Sequence, residues 1–427
     1  MTSECYVYVM LPGQTQFVTA GRFVLDEDRR GIPVGRFVYG RRYLARPDAV
    51  PIDPIELPLT ERTYEATRLK GVFGAIRDAS PDYWGRRVIE KRAALTVLSE
   101  IDYLLQSPDD RAGALGFGLN VEPPAPLRRF NRTMDLERLQ QLADLIIADD
   151  EPSEAERSAS EASADRPQVE DLMLVGTSMG GARPKAVVED AGVLWIAKFN
   201  RTDDRWNHAR VEHAMLVLAQ ECGLHVAQSR VVQVGHRDAL LVKRFDRIPH
   251  EDGYARARML SALTLLRAGD THQDRDRWSY VLLAEELRRI SARPEEDASE
   301  LFKRMVFNAL INTDDHPRNH AVIALEHEWR LSPAYDLTPF PAVSEERRDL
   351  ALMIGDYGRY ATATNALSQC ARFLLTREEA TRIIDDLEGK VRTRWHAVAR
   401  REGVSEQDCE RIARAFGYPG FRLALTR

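Results

Sequence analysis

The spacing of apolar residues changes along this 427-residue chain, and that change constrains its fold more than any other sequence feature. From 4 to 48 apolar and polar positions alternate around turn signals, as in Cys5-Tyr6-Val7-Tyr8-Val9, the stretch Phe17 to Val24, and Gly35-Arg36-Phe37-Val38-Tyr39. A period of two predicts half-buried strands, here a small meandering sheet. Beyond the proline-spaced stretch Pro51 to Pro58, the spacing predicts helices over 82–100 and 101–105, with Pro81 at the helix start and Ser80 as its cap.

A proline-rich connector, Pro123 to Pro126, leads to helical spacing over 134–148. The Glu/Ser/Ala/Asp-rich run Asp149 to Pro167 then breaks any core pattern and reads as an acidic linker. From Asp171 the order is a glycine turn, two strands, a helix, two more strands and a mostly helical remainder. This divides the chain into an N-terminal α+β domain (1–122), a connector (123–170), a strand-rich lobe with a glycine loop (171–250) and a helical lobe (251–427).

Composition narrows the function classes. No apolar run approaches the roughly 18 residues that a bilayer crossing needs, and the N-terminal residues read as a first strand rather than a secretory signal, so a soluble cytoplasmic protein is expected. The four cysteines, Cys5, Cys222, Cys370 and Cys409, have no CxxC spacing and are read as buried free thiols rather than a disulfide or zinc framework. A formal charge of −6 offers no global attraction to nucleic acid and weighs against an autonomous DNA binder.

Several segments carry chemistry. Gly176-Thr177-Ser178-Met179-Gly180-Gly181-Ala182-Arg183-Pro184-Lys185 leads into a strand, and its glycines would let backbone N–H groups approach phosphates. It is not GxxxxGK[ST], since Ala182 follows Gly181, and by itself such a segment is more often a plain turn. In the apolar strand Val193 to Phe199, Lys198 needs either an anion partner or a path to water, because an ammonium is costly to bury. Glu212, on a predicted helix stopped by Gly223, could be that partner. The strand Ala239 to Arg247 ends in a polar exit that could present backbone groups to a base edge.

The stretch that decides most is Asn312-Thr313-Asp314-Asp315-His316-Pro317-Arg318-Asn319, followed by Tyr335-Asp336-Leu337-Thr338. Asp314 and Asn319 stand five positions apart, as do the aspartate and asparagine of a kinase catalytic loop, and Asp336 follows a strand-like segment as a second metal-binding aspartate should. Phosphoryl transfer needs a carboxylate to orient the attacking hydroxyl and oxygen ligands for Mg²⁺. Any one of these residues could instead cap a helix or close a turn. Asp315-His316 raises a metal hydrolase, but no HxH or HExxH accompanies it.

In order, SMGGARPK (178–185), IAKF (196–199), Val211-Glu212, VKRFDR (242–247), NTDDHPRN (312–319) and YDLTPFP (335–341) resemble the HipA family of bacterial serine/threonine kinases, toxins of type II toxin–antitoxin pairs. The stretch 73–86, with PDYWGR, and GALGF (113–117) are similar to that family's first domain, so the resemblance covers nearly the whole chain.

It implies an α+β, two-lobed protein-kinase-like fold with an added N-terminal α+β domain and a mostly helical C-terminal lobe. It implies ATP and Mg²⁺ as cofactors, Asp314 as catalytic base, and Asn319 and Asp336 as metal ligands. The glycine loop with Ser178, Gly180 and Gly181 would meet phosphates, as would Lys198 supported by Glu212. The Val242–Phe245 backbone, including Lys243 and Phe245, would meet adenine, Asp246 would lie near the ribose, and His316 and Arg318 near the phosphates. Autophosphorylation at Ser178 would switch the enzyme off, since a phosphoserine adds nearly two negative charges to a pocket built for a triphosphate.

The implied partners are a HipB-like helix-turn-helix antitoxin, with DNA reached only through it, and a protein substrate such as an aminoacyl-tRNA synthetase. The acidic insert at 149–167 has no counterpart in the family's pattern. A catalytically weak, antitoxin-binding co-repressor scaffold and a small-molecule or lipid kinase are the competing readings.

Overall fold

The computed structural model describes residues 3–93, 98–127, 130–148, 183–311, 314–341, 344, 347–416 and 418–425. Ser178, Gly180, Gly181 and the acidic run lie outside them. The chain forms a mixed α+β fold in two compact units. Unit 1 comprises Met1–Asp203, Val232–Met259 and Leu325–His327; unit 2 comprises Asp204–Val231, Leu260–Ala324 and Glu328–Arg427.

Unit 1 begins with the predicted meander. Strands β1 (Glu4–Met10), β2 (Phe17–Glu27), β3 (Pro33–Tyr39), β4 (Tyr64–Ala66) and β5 (Leu115–Gly118) form an antiparallel sheet in the order β4-β3-β2-β1-β5. Their alternation buries Val7, Val9, Phe23 and Phe37, as a two-residue side-chain period requires.

Helix α1 (Tyr83–Ala93) starts later than its sequence spacing suggests, and its cap is Asp82 rather than Ser80. The physical reason is reach: the Asp82 carboxylate accepts the Gly85 N–H at 2.7 Å, satisfying one of the orphan donors of the first turn. A second helix, α2 (Glu100–Gln106), has its own capping box, in which Ser99 and Asp102 exchange side-chain and backbone bonds. Of the two predicted helices, 82–100 is described as helix over Tyr83–Ala93 only, and 101–105 is matched by α2.

A second sheet, formed mostly by unit 1, contains β6 (Asn131–Arg132), β7 (Lys185–Asp190), β8 (Val193–Phe199), β9 (Ser229–Val234), whose last three residues fall in unit 1, and β10 (Arg237–Lys243), in the order β6-β7-β8-β10-β9. Helices α1 and α3 (Leu136–Ala148) pack on it: Trp84, Val88 and Ile89 with Leu139 and Leu142 share a buried cluster with Val188, Ala197, Phe199 and Leu241. A hairpin of β11 (Arg247–His250) and β12 (Gly253–Arg256) follows, and β13 (Arg258–Ser261) carries the chain out of unit 1.

Unit 2 is mainly helical. Helix α4 (His208–Glu221) is capped by Asn207, whose side chain accepts from the Arg210 N–H. It packs on the long α7 (Arg377–Arg401), while α6 (Pro294–Ile311) packs on both α5 (Tyr280–Ile290) and α7. Helix α6 is buried from Leu301 to Ile311 except at Lys303, so it forms the spine of the unit. The short strands β14 (Ala321–Ala324) and β15 (Arg330–Leu331) pair with Val322 opposite Leu331. All four cysteines are buried and free. Among the described residues, no helix is long and apolar enough to cross a membrane.

Candidate active site

At the end of α6 the chain enters the loop 314–320. Pro317–Asn319 form one 3₁₀ turn, started by His316, whose ring Nδ1 accepts the Arg318 N–H at 3.1 Å. The Asn319 N–H returns to the His316 carbonyl at 2.8 Å, and the Asn319 side-chain Nδ2 donates to the Asp314 carbonyl at 2.8 Å. Asp314 and Asn319 are thus locked together by the loop's own bonds. Asp314 is exposed and Asn319 half-buried.

Asp336 reaches the same place from the other side. Its approach strand is pinned at successive points: the Leu331 N–H donates to Asp297 at 2.9 Å, Arg304 donates to the Ser332 carbonyl at 2.5 Å, and Ala334 exchanges backbone bonds with His225 and Ala227. Asp336 itself has φ of 59°, in the left-handed region, which aspartate tolerates better than most residues. Asp314, Asn319 and Asp336 then line one small cleft whose floor is Arg304, Asn308, Asp315 and His320.

That floor is a buried polar cluster which sequence reasoning missed. Asp315 accepts the N–H groups of Ala351 at 2.6 Å and Leu352 at 3.3 Å, tying the loop to a segment far along the chain. Burial pushes its carboxyl up to about 7, against the pull of those bonds and of the Tyr280 hydroxyl. Asn308 donates to that hydroxyl at 2.9 Å, and His320 Nε2 lies 3.2 Å from it. Burial, with Arg304 nearby, lowers His320 to about 3, so the ring is neutral. The legible trace of this cluster is Arg304 and Asn308, a cation and an amide four apart in an otherwise apolar helical stretch.

Other expected site residues are placed as follows. His316 packs edge-on to Trp278 at 4.6 Å, and its Nε2 lies 3.6 Å from Asp270. Arg318 makes a forked pair with the same carboxylate, at 2.5 and 3.3 Å. Arg318 and His316, expected near the phosphates, thus share one carboxylate partner, Asp270.

Lys198 is half-buried on β8 of unit 1, opposite Lys185 on β7 and Leu240 on β10, whereas Glu212 is buried on α4 of unit 2. Lys185 is itself buried and bonded to Asp82 at 2.7 Å. Lys243 closes β10, with Phe245 half-buried after it.

Asp246, expected near the ribose, is buried among ionic partners. The residue is 4% exposed, and its carboxylate accepts from Arg244 at 2.9 and 2.8 Å, Arg247 at 2.8 Å and the Gly113 N–H at 2.9 Å. Both of its oxygens are thus engaged by groups of the protein.

The HipA-like C-terminal domain family matches residues 177–395, just over half of the chain and all of the cleft-forming loops, and the HipA N-terminal domain family matches 16–118. The chain belongs to the HipA family. Among solved structures, it is similar to HipA of Shewanella oneidensis MR-1, in a complex with HipB and operator DNA, with a TM-score of 0.67 and 17% identity over 96% of this chain and 94% of that one. At that identity the likeness is one of fold. A curated relative, named as the putative kinase Y4mE of Sinorhizobium fredii (strain NBRC 101917 / NGR234), is 27% identical over 172 residues. The matched stretch spans 38% of each protein.

The donors at the cleft suit a hard cation. Asn319 commits its amide nitrogen to Asp314 and keeps an amide oxygen, and Asp336 brings a carboxylate; oxygen donors of this kind are what Mg²⁺ accepts.

Proposed function

We propose that this HipA protein is an ATP-dependent serine/threonine protein kinase, the toxin of a toxin–antitoxin pair. The observation that carries the reading is the convergence of Asp314, Asn319 and Asp336 on one cleft, with Asn319 bonded to the backbone of Asp314. In this reading Asp314 orients the substrate hydroxyl and takes its proton as the oxygen bonds to the γ-phosphorus and ADP leaves. Asn319 and Asp336 would hold Mg²⁺, which supplies charge neutralisation at the triphosphate. Lys198 would meet the phosphates with Glu212 as its support, and the Val242–Phe245 backbone would meet adenine.

The glycine loop would cover the phosphates, and phosphate on Ser178 would turn the enzyme off by placing negative charge where the triphosphate sits. The family membership and the fold shared with a HipA solved together with HipB and DNA support a helix-turn-helix antitoxin as partner. DNA would then be contacted only through that antitoxin. An aminoacyl-tRNA synthetase is the proposed substrate, and the cytoplasm the proposed compartment.

The deciding experiment is intact-mass spectrometry of the chain incubated with Mg-ATP, beside Asp314→Ala and Asp336→Ala. The expected outcome is a gain of phosphate, mapping to Ser178, in the native chain alone. No gain and no nucleotide binding in any form would defeat the kinase assignment.

A further inference from the structure

The engagement of Asp246 is one part of a larger assembly inside unit 1. Arg244 donates to Asp110 and, at 2.8 Å, to the Arg111 carbonyl. Arg247 donates to the Gly113 carbonyl at 3.0 Å and to the Arg111 carbonyl, and reaches Asp110 at 3.4 Å. Two arginines and two aspartates therefore balance one another with side chains no more than 6% exposed. Gly113 has φ of 77°, and a side chain there would press on Met259 at 3.2 Å, so the turn that presents its N–H and carbonyl requires glycine.

The two sides of this cluster come from different family domains. Asp110, Arg111 and Gly113 fall within the N-terminal HipA match, and Arg244, Asp246 and Arg247 within the C-terminal one. Phe245 lies between the captured residues. The backbone is fixed there too: the Arg244 N–H donates to Leu194 at 2.9 Å, and the Asp246 carbonyl accepts from Ala257 at 3.0 Å. Buried ion clusters gain little net stability over apolar packing, and their best-supported use is to select one arrangement.

We infer that the Asp110–Gly113 turn of the N-terminal domain is a clasp that holds the segment Lys243–Arg247 in the conformation that receives the nucleotide's adenine end, making these N-terminal residues positioning residues for ATP. The inference rests on the kinase reading for its ligand, but the clasp itself does not.

The test compares the full-length chain with Asp110→Ala and with Arg247→Lys, which keeps the charge and loses the fork. Hydrogen exchange over 243–247 without nucleotide reads the clasp, and Mg-ATP affinity and saturated turnover read its consequence. Expected are exchange at least about tenfold faster in that segment, ATP binding weakened about tenfold, and turnover at saturating ATP within about twofold of the parent. Arg247→Lys should show a smaller change of the same sign, and it carries the test if Asp110→Ala does not fold.

Unchanged exchange in a folded variant would overturn the clasp. Faster exchange with unaltered ATP affinity would overturn its role in nucleotide positioning. If the parent chain binds no Mg-ATP, the kinase reading fails, and with it the nucleotide role, while the exchange measurement still decides the clasp.

Discussion

Asp336 holds a left-handed backbone conformation at a point where a carboxylate is wanted, so two demands fall on one residue. Asparagine tolerates that conformation nearly as well as aspartate, whereas alanine there costs about 1–2 kcal/mol. Asp336→Asn should therefore melt close to the parent and Asp336→Ala several degrees lower, with phosphoryl transfer lost in both; equal melting temperatures would show that the backbone strain is not felt. The triad Asp314, Asn319 and Asp336 was legible because spacing along one loop and order along the chain carry its signature. Asp315 was not, although it is next to the proposed base. Its partners, Ala351 and Leu352, lie 36 and 37 residues away, and only the folded chain brings them together.

Among elements, the strands and most helices followed their apolar periods, and the failures fell at ends, where single polar contacts decide. Asp82 stops the run-in to α1 because it caps Gly85 with one oxygen and pairs with Lys185 through the other, and the second contact arises only once β7 lies beside it. The exit from β10 was read as a segment that could meet a base edge, and its flanking charges proved to be engaged with the N-terminal domain.

That engagement has a pH signature. Burial would raise the Asp246 carboxyl, but Arg244 and Arg247 beside it outweigh burial and hold it well below the usual carboxylate range. A depressed folded-state value means stability that is present above the unfolded value of about 3.9 and lost as pH falls through and below it. Denaturant unfolding followed from about pH 6 to about pH 3 should show a steeper loss in the parent than in Asp246→Asn, which starts weaker at the high end. Parallel curves would show that Asp246 is not held in its charged form.

At the scale of the whole molecule, the two family matches do not coincide with the two compact units. Unit 1 takes the N-terminal match together with β7, β8 and β10 of the C-terminal one. Composition shifts mark stretches along the chain and cannot register a unit assembled from three separate segments, which is why this grouping was not legible.

A fragment beginning at residue 123 would leave Arg244 and Arg247 without Asp110 and without the Arg111 and Gly113 carbonyls. Removing one side of a buried ion pair costs about 3–5 kcal/mol, a large share of an ordinary domain's roughly 5–15. Such a fragment should be protease-sensitive and lack a cooperative melt; a fragment that melts cooperatively would show that the second sheet stands without its partner.

The clasp also fixes lengths. Asp110, Arg111 and Gly113 meet Arg244, Asp246 and Arg247 through bonds that leave no slack on either short stretch. One residue added or removed inside 110–113 or 244–247 would rotate donors away from acceptors in a place that water does not reach. Evolution can vary the length of the connector between the two sheets far more freely, and relatives that retain the clasp are expected to align without gaps across both four-residue windows while differing widely in the number of residues between them.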